Sequence, residues 1–189
     1  MRLCAGKPLV QWTINATKQS KLLDSVVVTS DDDCILNIAK NNQVHANKRP
    51  KNFATDSSLI LDTLKYIIQE FPGYSHVVLL QPTSPIRNKN LIDECIKKYQ
   101  KSDCDVLVTG FDCHYKPYES YVGRRQDLDT FFYNDGNVYI LPVERIKQNL
   151  LNSPHYCRFY TSRQEAIEID DEFDFWLAEQ ILLNYSKTQ

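Results

Sequence analysis

The chain has little of what marks several large function classes. Across 189 residues no apolar stretch approaches the ~20 residues of a membrane-spanning helix. The opening Met1-Arg2-Leu3-Cys4-Ala5-Gly6-Lys7-Pro8 holds no signal-peptide apolar region. Positive charge is not in excess: the formal net charge is −2 at pH 7. General nucleic-acid binding, which needs a basic face to displace counterions from phosphates, is therefore not expected. Cys4, Cys34, Cys95, Cys104, Cys113 and Cys157 form no C-x-x-C pair, and His45, His76, His114 and His155 show no H-x-x-x-H spacing. Zinc sites draw on ligands clustered by local spacing, so none is expected. Together these absences imply a cytoplasmic chain with buried, reduced thiols and neither a membrane nor a nucleic-acid partner. The N-x-S/T triplets at Asn15 and Asn184 then read as chance matches.

What remains is an ordinary globular balance, 42% hydrophobic and 24% charged, in a chain long enough to bury one continuous core. Residues 1–189 read as a single domain without repeats or linkers. Pro8 to Ser20 places Leu9, Trp12, Thr13 and Ala16 on one helical face, with Pro8 suited to the first turn. Ser25–Ser30, with its run of three valines, reads as a strand buried on both faces. The pattern then predicts helices over 31–40, 56–70 and 88–100, and strands over 76–80, 105–110 and 137–141. A helix is expected over 142–151, and a last one from Asp171 burying Phe173, Trp176, Leu177 and Ile181. Strands alternating with helices imply right-handed crossovers and a mostly parallel sheet covered on both faces. The chain opens on a helix, without the strand and glycine-rich turn at which such sheets often meet ligands.

The most specific constellation is Leu79-Leu80-Gln81-Pro82-Thr83-Ser84-Pro85-Ile86-Arg87, where a buried strand leaves the sheet. Its prolines fix the turn, presenting an amide, two hydroxyls and a guanidinium, a set suited to a polyhydroxylated, carboxylated sugar. The same residues also suit a proline-braced turn with self-capping hydroxyls. Glu168 and Asp170, at i and i+2, share one face of a strand, a spacing for a hard cation beside phosphates or for a solvated strand face. Asp31-Asp32-Asp33 reads as a helix cap ahead of a metal site. Lys7, beside a glycine turn, either neutralises phosphate or is a plain surface lysine.

These segments come in a telling order. Ala5-Gly6-Lys7-Pro8-Leu9, Val28-Thr29-Ser30-Asp31-Asp32, the Q-P-T-S-P-I-R run, Arg124-Arg125-Gln126-Asp127-Leu128, Gly136-Asn137-Val138-Tyr139-Ile140 and Ile167-Glu168-Ile169-Asp170-Asp171-Glu172-Phe173-Asp174 follow one another. The series resembles the acylneuraminate cytidylyltransferases (CMP-sialic acid synthetases) and covers essentially the whole chain. The resemblance implies a three-layer, Rossmann-like nucleotide-diphospho-sugar transferase fold. It further implies a homodimer and a reaction in which CTP and a nonulosonic acid give the CMP-sugar and pyrophosphate, with Mg2+. By motif, Gln81, Thr83, Ser84, Arg125, Gln126 and Tyr139 would bind the sugar, and Arg49 and Ser58 would line the cytosine pocket. Glu168 and Asp170 would hold the metal, and Lys7 and Asp170 would act in catalysis.

The resemblance also marks departures. The family's opening strand and A-R-G-G-S-K loop, which should directly precede A-G-K-P-L, are missing from the 189 residues. Two expectations follow: weak or no activity, and unpaired edges on the strands that would have flanked the missing one. A non-catalytic paralogue that binds a CMP-sugar or a homologous subunit is the alternative reading. Glu168 stands where Asp is usual. Asp135 and Tyr133 replace Asn and Arg, which would make the sugar end less welcoming to a carboxylate.

Overall fold

The computed structural model describes residues 2–55, 57–115, 124 and 129–185. The chain opens on a small antiparallel hairpin, β1 (Leu3–Cys4) against β2 (Lys7–Pro8). Ala5 and Gly6 turn it with φ of 48° and 77°, the positive pair that a two-residue hairpin of this hand requires. Pro8 then caps α1 (Leu9–Gln19). Val10, Thr13, Ile14 and Thr17 are the buried face of α1, one step round from the expected stripe. Leu9 and Trp12 pack at its flank against Cys4, Ile86 and Phe175.

A βαβ unit follows: β3 (Val27–Ser30), α2 (Asp33–Asn41) and β4 (His45–Lys48), with β3 and β4 parallel. The aspartate run caps α2, since the Asp32 side chain accepts from the Cys34 N–H at 2.7 Å and Asp33 pairs with Lys48 at 2.6 Å. A short 3-10 turn, Lys51–Phe53, leads to α3 (Ile60–Glu70). This helix starts later than its sequence suggests, because Thr55 and Ser58 tie the preceding residues into a turn.

The larger sheet holds β5 (His76–Leu79), β6 (Val106–Cys113), β7 (Phe131–Pro142) and β8 (Tyr156–Tyr160) in the order β5-β7-β6-β8. Around it lie α4 (Leu91–Gln100), α5 (Val143–Lys147) and α6 (Glu172–Tyr185). β6 and β8 are parallel, but β7 runs against both β5 and β6. The α/β layering is as expected; the sheet is mixed, not mostly parallel. The polar strand β4 and the tyrosine-rich β8 were not legible as strands, since neither shows a continuous apolar run.

α6 turns a different face inward from the one its sequence suggests. Phe175, Ala178 and Leu182 are buried with Cys4 and Ile86, and the expected Ile181 packs beside them, while Phe173 and Trp176 lie tilted against one another outside with ring centroids 5.8 Å apart. The run Phe-Asp-Phe-Trp-Leu is apolar nearly all round, so its period does not choose a face. The thiol expectation also needs correction: Cys104, just ahead of β6, is bonded to Cys157 of β8, with Cα atoms 5.8 Å apart. Cys4, Cys95 and Cys113 are buried and free, and Cys34 is exposed.

β3 and β5 are both edge strands, and among the described residues neither has a partner on its second side. Between them lies a cavity of about 1820 Å3, walled by these strands, α1 and α3. Among the described residues no helix is long and apolar enough to cross a membrane.

Candidate active site

The Q-P-T-S-P-I-R run leaves the sheet at the carboxyl end of β5 and is folded tightly. The Gln81 carbonyl accepts from the Ser84 N–H at 3.2 Å and from Arg87 Nη2 at 3.0 Å. Its side chain reaches over Gly136 on β7. A Cβ added to Gly136 would lie 2.8 Å from Gln81 Oε1 and 2.9 Å from Glu168 Oε1. Gln81 and Glu168 therefore converge on one α-carbon, at a residue whose φ of +68° already favours glycine.

Glu168 and Asp170 lie in an extended segment ahead of α6 that is not a strand of any of the three sheets. One main-chain bond secures it, from the Ile169 N–H to the Thr83 carbonyl at 2.8 Å. Ile167 and Ile169 pack into the core, so the alternation expected of a strand survives and sends Glu168 and Asp170 to the opposite side. Burial, then the charges of Asp170, Asp135 and Asp174, raise the Glu168 pKa. A half-buried carboxylate whose proton is held by the negative charge around it is the electrostatic setting that a dication relieves. No group of three metal-ligating side chains gathers among the described residues. That is compatible with Mg2+, which takes one or two carboxylates plus substrate phosphates and keeps several waters.

Tyr139 stands beside this pair. Its hydroxyl accepts from Asn134 Nδ2 at 3.0 Å. Burial chiefly, with the Glu168 charge adding to it, raises its pKa against that hydrogen bond. Arg49 borders the same cavity as Gln81. Its N–H is held by the Ser30 carbonyl at 2.9 Å, Nη1 lies 3.5 Å from Thr63 Oγ1, and its buried Nε has no partner among the described residues.

Other expected residues sit elsewhere. Ser84 is fully buried, and its hydroxyl donates to the Asp135 carbonyl at 3.3 Å, so it braces the turn instead of facing a ligand. Arg87 is likewise not at the rim. Its guanidinium is enclosed, donating to Thr13 Oγ1 at 3.1 Å and to the carbonyls of Gln81 and Asn137 at 3.0 and 2.9 Å. Burial pulls its pKa down to about 9 against the charge of Asp135. Ser58 is half-buried and bound into its own turn by the Thr55 N–H at 2.9 Å. The Lys7 ammonium lies 4.4 Å over the Trp12 ring centroid. Arg125 and Gln126 fall outside the described residues.

Asp135 does not face the sugar end. It is fully buried, with its carboxylate accepting from the Thr109 and Thr161 hydroxyls and the Asn137 N–H. Tyr133 packs on Phe111 instead, with centroids 5.3 Å apart. Two further bracing residues went unread in the sequence. Asn137 Nδ2 donates to the carbonyls of Ile86 and Glu165. Glu165 accepts from the N–H groups of Asn88 and Ser162. The one available signal was the polar Asp-Gly-Asn triplet inside an apolar run.

A family model described as cytidylyltransferase matches residues 1–187. The chain belongs to the cytidylyltransferase family. Within that family it is similar to the N-acylneuraminate cytidylyltransferase of Escherichia coli, 31% identical over 91% of this chain and 45% of the relative. It also resembles the pseudaminic acid cytidylyltransferase of Campylobacter jejuni, 23% identical over 92% of this chain and 84% of the relative. The chain thus spans about half the length of several curated relatives it matches. Among solved structures, a CMP:2-keto-3-deoxy-manno-octonic acid synthetase complexed with CTP superposes with a TM-score of 0.73 at 10% identity, covering 97% of this chain and 91% of that one. A 4-diphosphocytidyl-2C-methyl-D-erythritol synthase from Anaerococcus prevotii gives 0.66 at 12% identity, covering 95% and 91%. At those identities the likeness establishes the cytidylyltransferase fold.

Proposed function

We propose that this family member transfers CMP from CTP to a sialic-type nonulosonic acid, releasing pyrophosphate. The observation that carries the reading is the convergence of Gln81 and Glu168 over Gly136. It places an amide that can bind sugar hydroxyls beside a carboxylate suited to a cation. The acylneuraminate and pseudaminate relatives support the substrate class. Arg49, across the cavity, offers donors for the cytosine, while Gln81, Thr83 and Tyr139 meet the sugar. Arg125 and Gln126 complete its carboxylate side, and Ser58, Ser84 and Lys7 keep the bracing or surface contacts described above.

In this reading the anomeric oxygen bonds to the α-phosphorus as the bond to the pyrophosphate oxygen breaks. The hydroxyl proton passes to solvent past the exposed Asp170 carboxylate. Glu168 and Asp170 hold Mg2+, which neutralises phosphate charge when bound. Such a reaction depends on positioning and charge neutralisation, which a turn locked to β7 provides. A CTP requirement supports a cytoplasmic place for the chain, where the Cys104–Cys157 bond would be one of the uncommon disulfides of a reducing compartment. The exposed aromatics Phe131, Tyr133 and Tyr160 support association as a homodimer, checked by light scattering.

Pyrophosphate release tests the reading, with CTP, MgCl2 and a panel of nonulosonic acids. Release that depends on all three, however slow, supports it. Calorimetry showing CMP-sugar binding without release would instead favour a binding protein.

A further inference from the structure

Asn134 and Tyr139 stand five residues apart on β7, yet their side chains are hydrogen-bonded at 3.0 Å. On a regular strand that spacing would separate them by about 17 Å and send them to opposite faces. A bulge brings them together. Gly110 of β6 pairs with Asn134 and Val108 with Tyr139, so the four residues 135–138 stand opposite Thr109 alone. Bulges re-aim side chains beside functional sites. This one carries Gly136, the residue on which Gln81 and Glu168 converge.

Side chains hold the bulge in shape. Thr109 Oγ1 accepts from the Val138 N–H at 2.9 Å, and the Asp135 carboxylate accepts from the Asn137 N–H at 3.0 Å. Asn134 Oδ1 accepts from the Gly136 N–H at 3.2 Å. That last bond fixes more than the turn. A backbone N–H can only donate, so the oxygen of the Asn134 amide must face Gly136 and its nitrogen must face Tyr139. The phenol oxygen is then an acceptor toward Asn134, and its own hydrogen points elsewhere. A phenol of ordinary pKa, about 10, keeps that hydrogen at neutral pH. Among the described residues no acceptor meets it. The hydroxyl borders the site, since the Glu168 charge reaches it and Glu168 lies against Gly136.

We propose that Asn134 is a positioning residue that turns the Tyr139 hydroxyl outward, as a donor to an oxygen of the bound sugar acid. One amide does both tasks: its oxygen holds Gly136 in its turn and its nitrogen sets the polarity of the phenol. The carboxylate and an acyl carbonyl are the sugar-acid oxygens that accept without donating. A donor already aimed at them adds affinity without a fresh cost of ordering. The identity of the ligand rests on the transfer reading above; the orientation of the hydroxyl does not.

Asn134→Asp discriminates, because it keeps an acceptor for the Gly136 N–H and removes only the donor to Tyr139. In protein labelled with 13C at tyrosine Cζ, the Tyr139 signal is assigned by its absence from Tyr139→Phe. Without ligand at pH 7, Asn134→Asp should move that signal toward the phenolate position, as the hydroxyl now donates to a carboxylate. An unmoved signal overturns the proposal whether or not the chain turns over. In pyrophosphate-release assays Asn134→Asp should raise KM for the sugar acid about tenfold, the worth of one hydrogen bond, and leave KM for CTP within about twofold. In the Tyr139→Phe background the same exchange should change either KM by no more than about twofold. An equal rise in both backgrounds overturns the proposal, since Asn134 would then act on the fold alone. An acid with a hydroxyl in place of its acylamino group identifies the oxygen: a persisting effect assigns the carboxylate, a lost one the acyl carbonyl. A parent chain that releases no pyrophosphate sinks the transfer reading, and the carbon signal still decides the part of Asn134.

Discussion

Arg87 holds Gln81 by its backbone. The guanidinium Nη2 donates to the Gln81 carbonyl at 3.0 Å and to the Asn137 carbonyl at 2.9 Å, joining the turn after β5 to β7. Nη1 reaches Thr13 of α1 at 3.1 Å. One side chain thus ties together three elements around the residue that faces the proposed sugar. Burial lowers its pKa to about 9, so it remains a cation at neutral pH.

Replacing Arg87 with Met leaves three buried acceptors short of a donor while removing the burden of an enclosed charge. The two effects oppose, and a net loss of about 1–3 kcal/mol is expected. Arg87→Lys does not rescue it, because an ammonium cannot span the same three acceptors in one plane. Urea midpoints of the two variants check this.

Gly136→Ala forces a methyl group against Gln81 Oε1 and Glu168 Oε1 at a positive φ. The backbone alone costs about 1–2 kcal/mol, and both side chains must also move. Binding of a CMP-sugar should therefore fall by more than the loss of stability accounts for. Calorimetry at a temperature where the variant is fully folded separates the two.

Glu168 supplies a pH-dependent prediction. Its pKa is raised in the folded chain by burial and by Asp170, Asp135 and Asp174. The folded state therefore binds that proton more tightly than the unfolded state. Its stabilising contribution is full below the unfolded value of about 4.3 and is lost as pH rises through the raised folded value. Glu168→Gln should accordingly stabilise the chain at pH 7 by a few tenths of a kcal/mol, the scale of partly exposed charges, and have little effect at pH 3.5. Adding MgCl2 should raise the melting temperature of the parent more than that of the variant. Thermal melts at both pH values read out each part.

The layered α/β organisation was legible because several of its strands are apolar runs such as Val26-Val27-Val28, which only a covered sheet accommodates. β4 and β8 were not, since His-Ala-Asn-Lys and Tyr-Cys-Arg-Phe-Tyr carry the mixed side chains of strands with a solvent side. The reversal of β7 left no mark on the sequence, because strand direction is set by tertiary pairing. At the site, Gln81 and Glu168 were singled out and do converge. Ser84 and Arg87 were read as outward-facing because their chemistry suits a ligand, and Asp135 was read at the sugar end because it stands where the family has Asn. Tight folding of the Q-P-T-S-P turn against β7 puts them inside, where the same groups satisfy carbonyls and hydroxyls.

The most direct test compares pyrophosphate release by the parent chain and by Gln81→Ala, with CTP, MgCl2 and N-acylneuraminate. The account predicts release that requires the sugar acid and falls about 10–100-fold in the variant, the worth of one or two lost substrate hydrogen bonds. Release that proceeds without the acid, or at the same rate in both proteins, would contradict it.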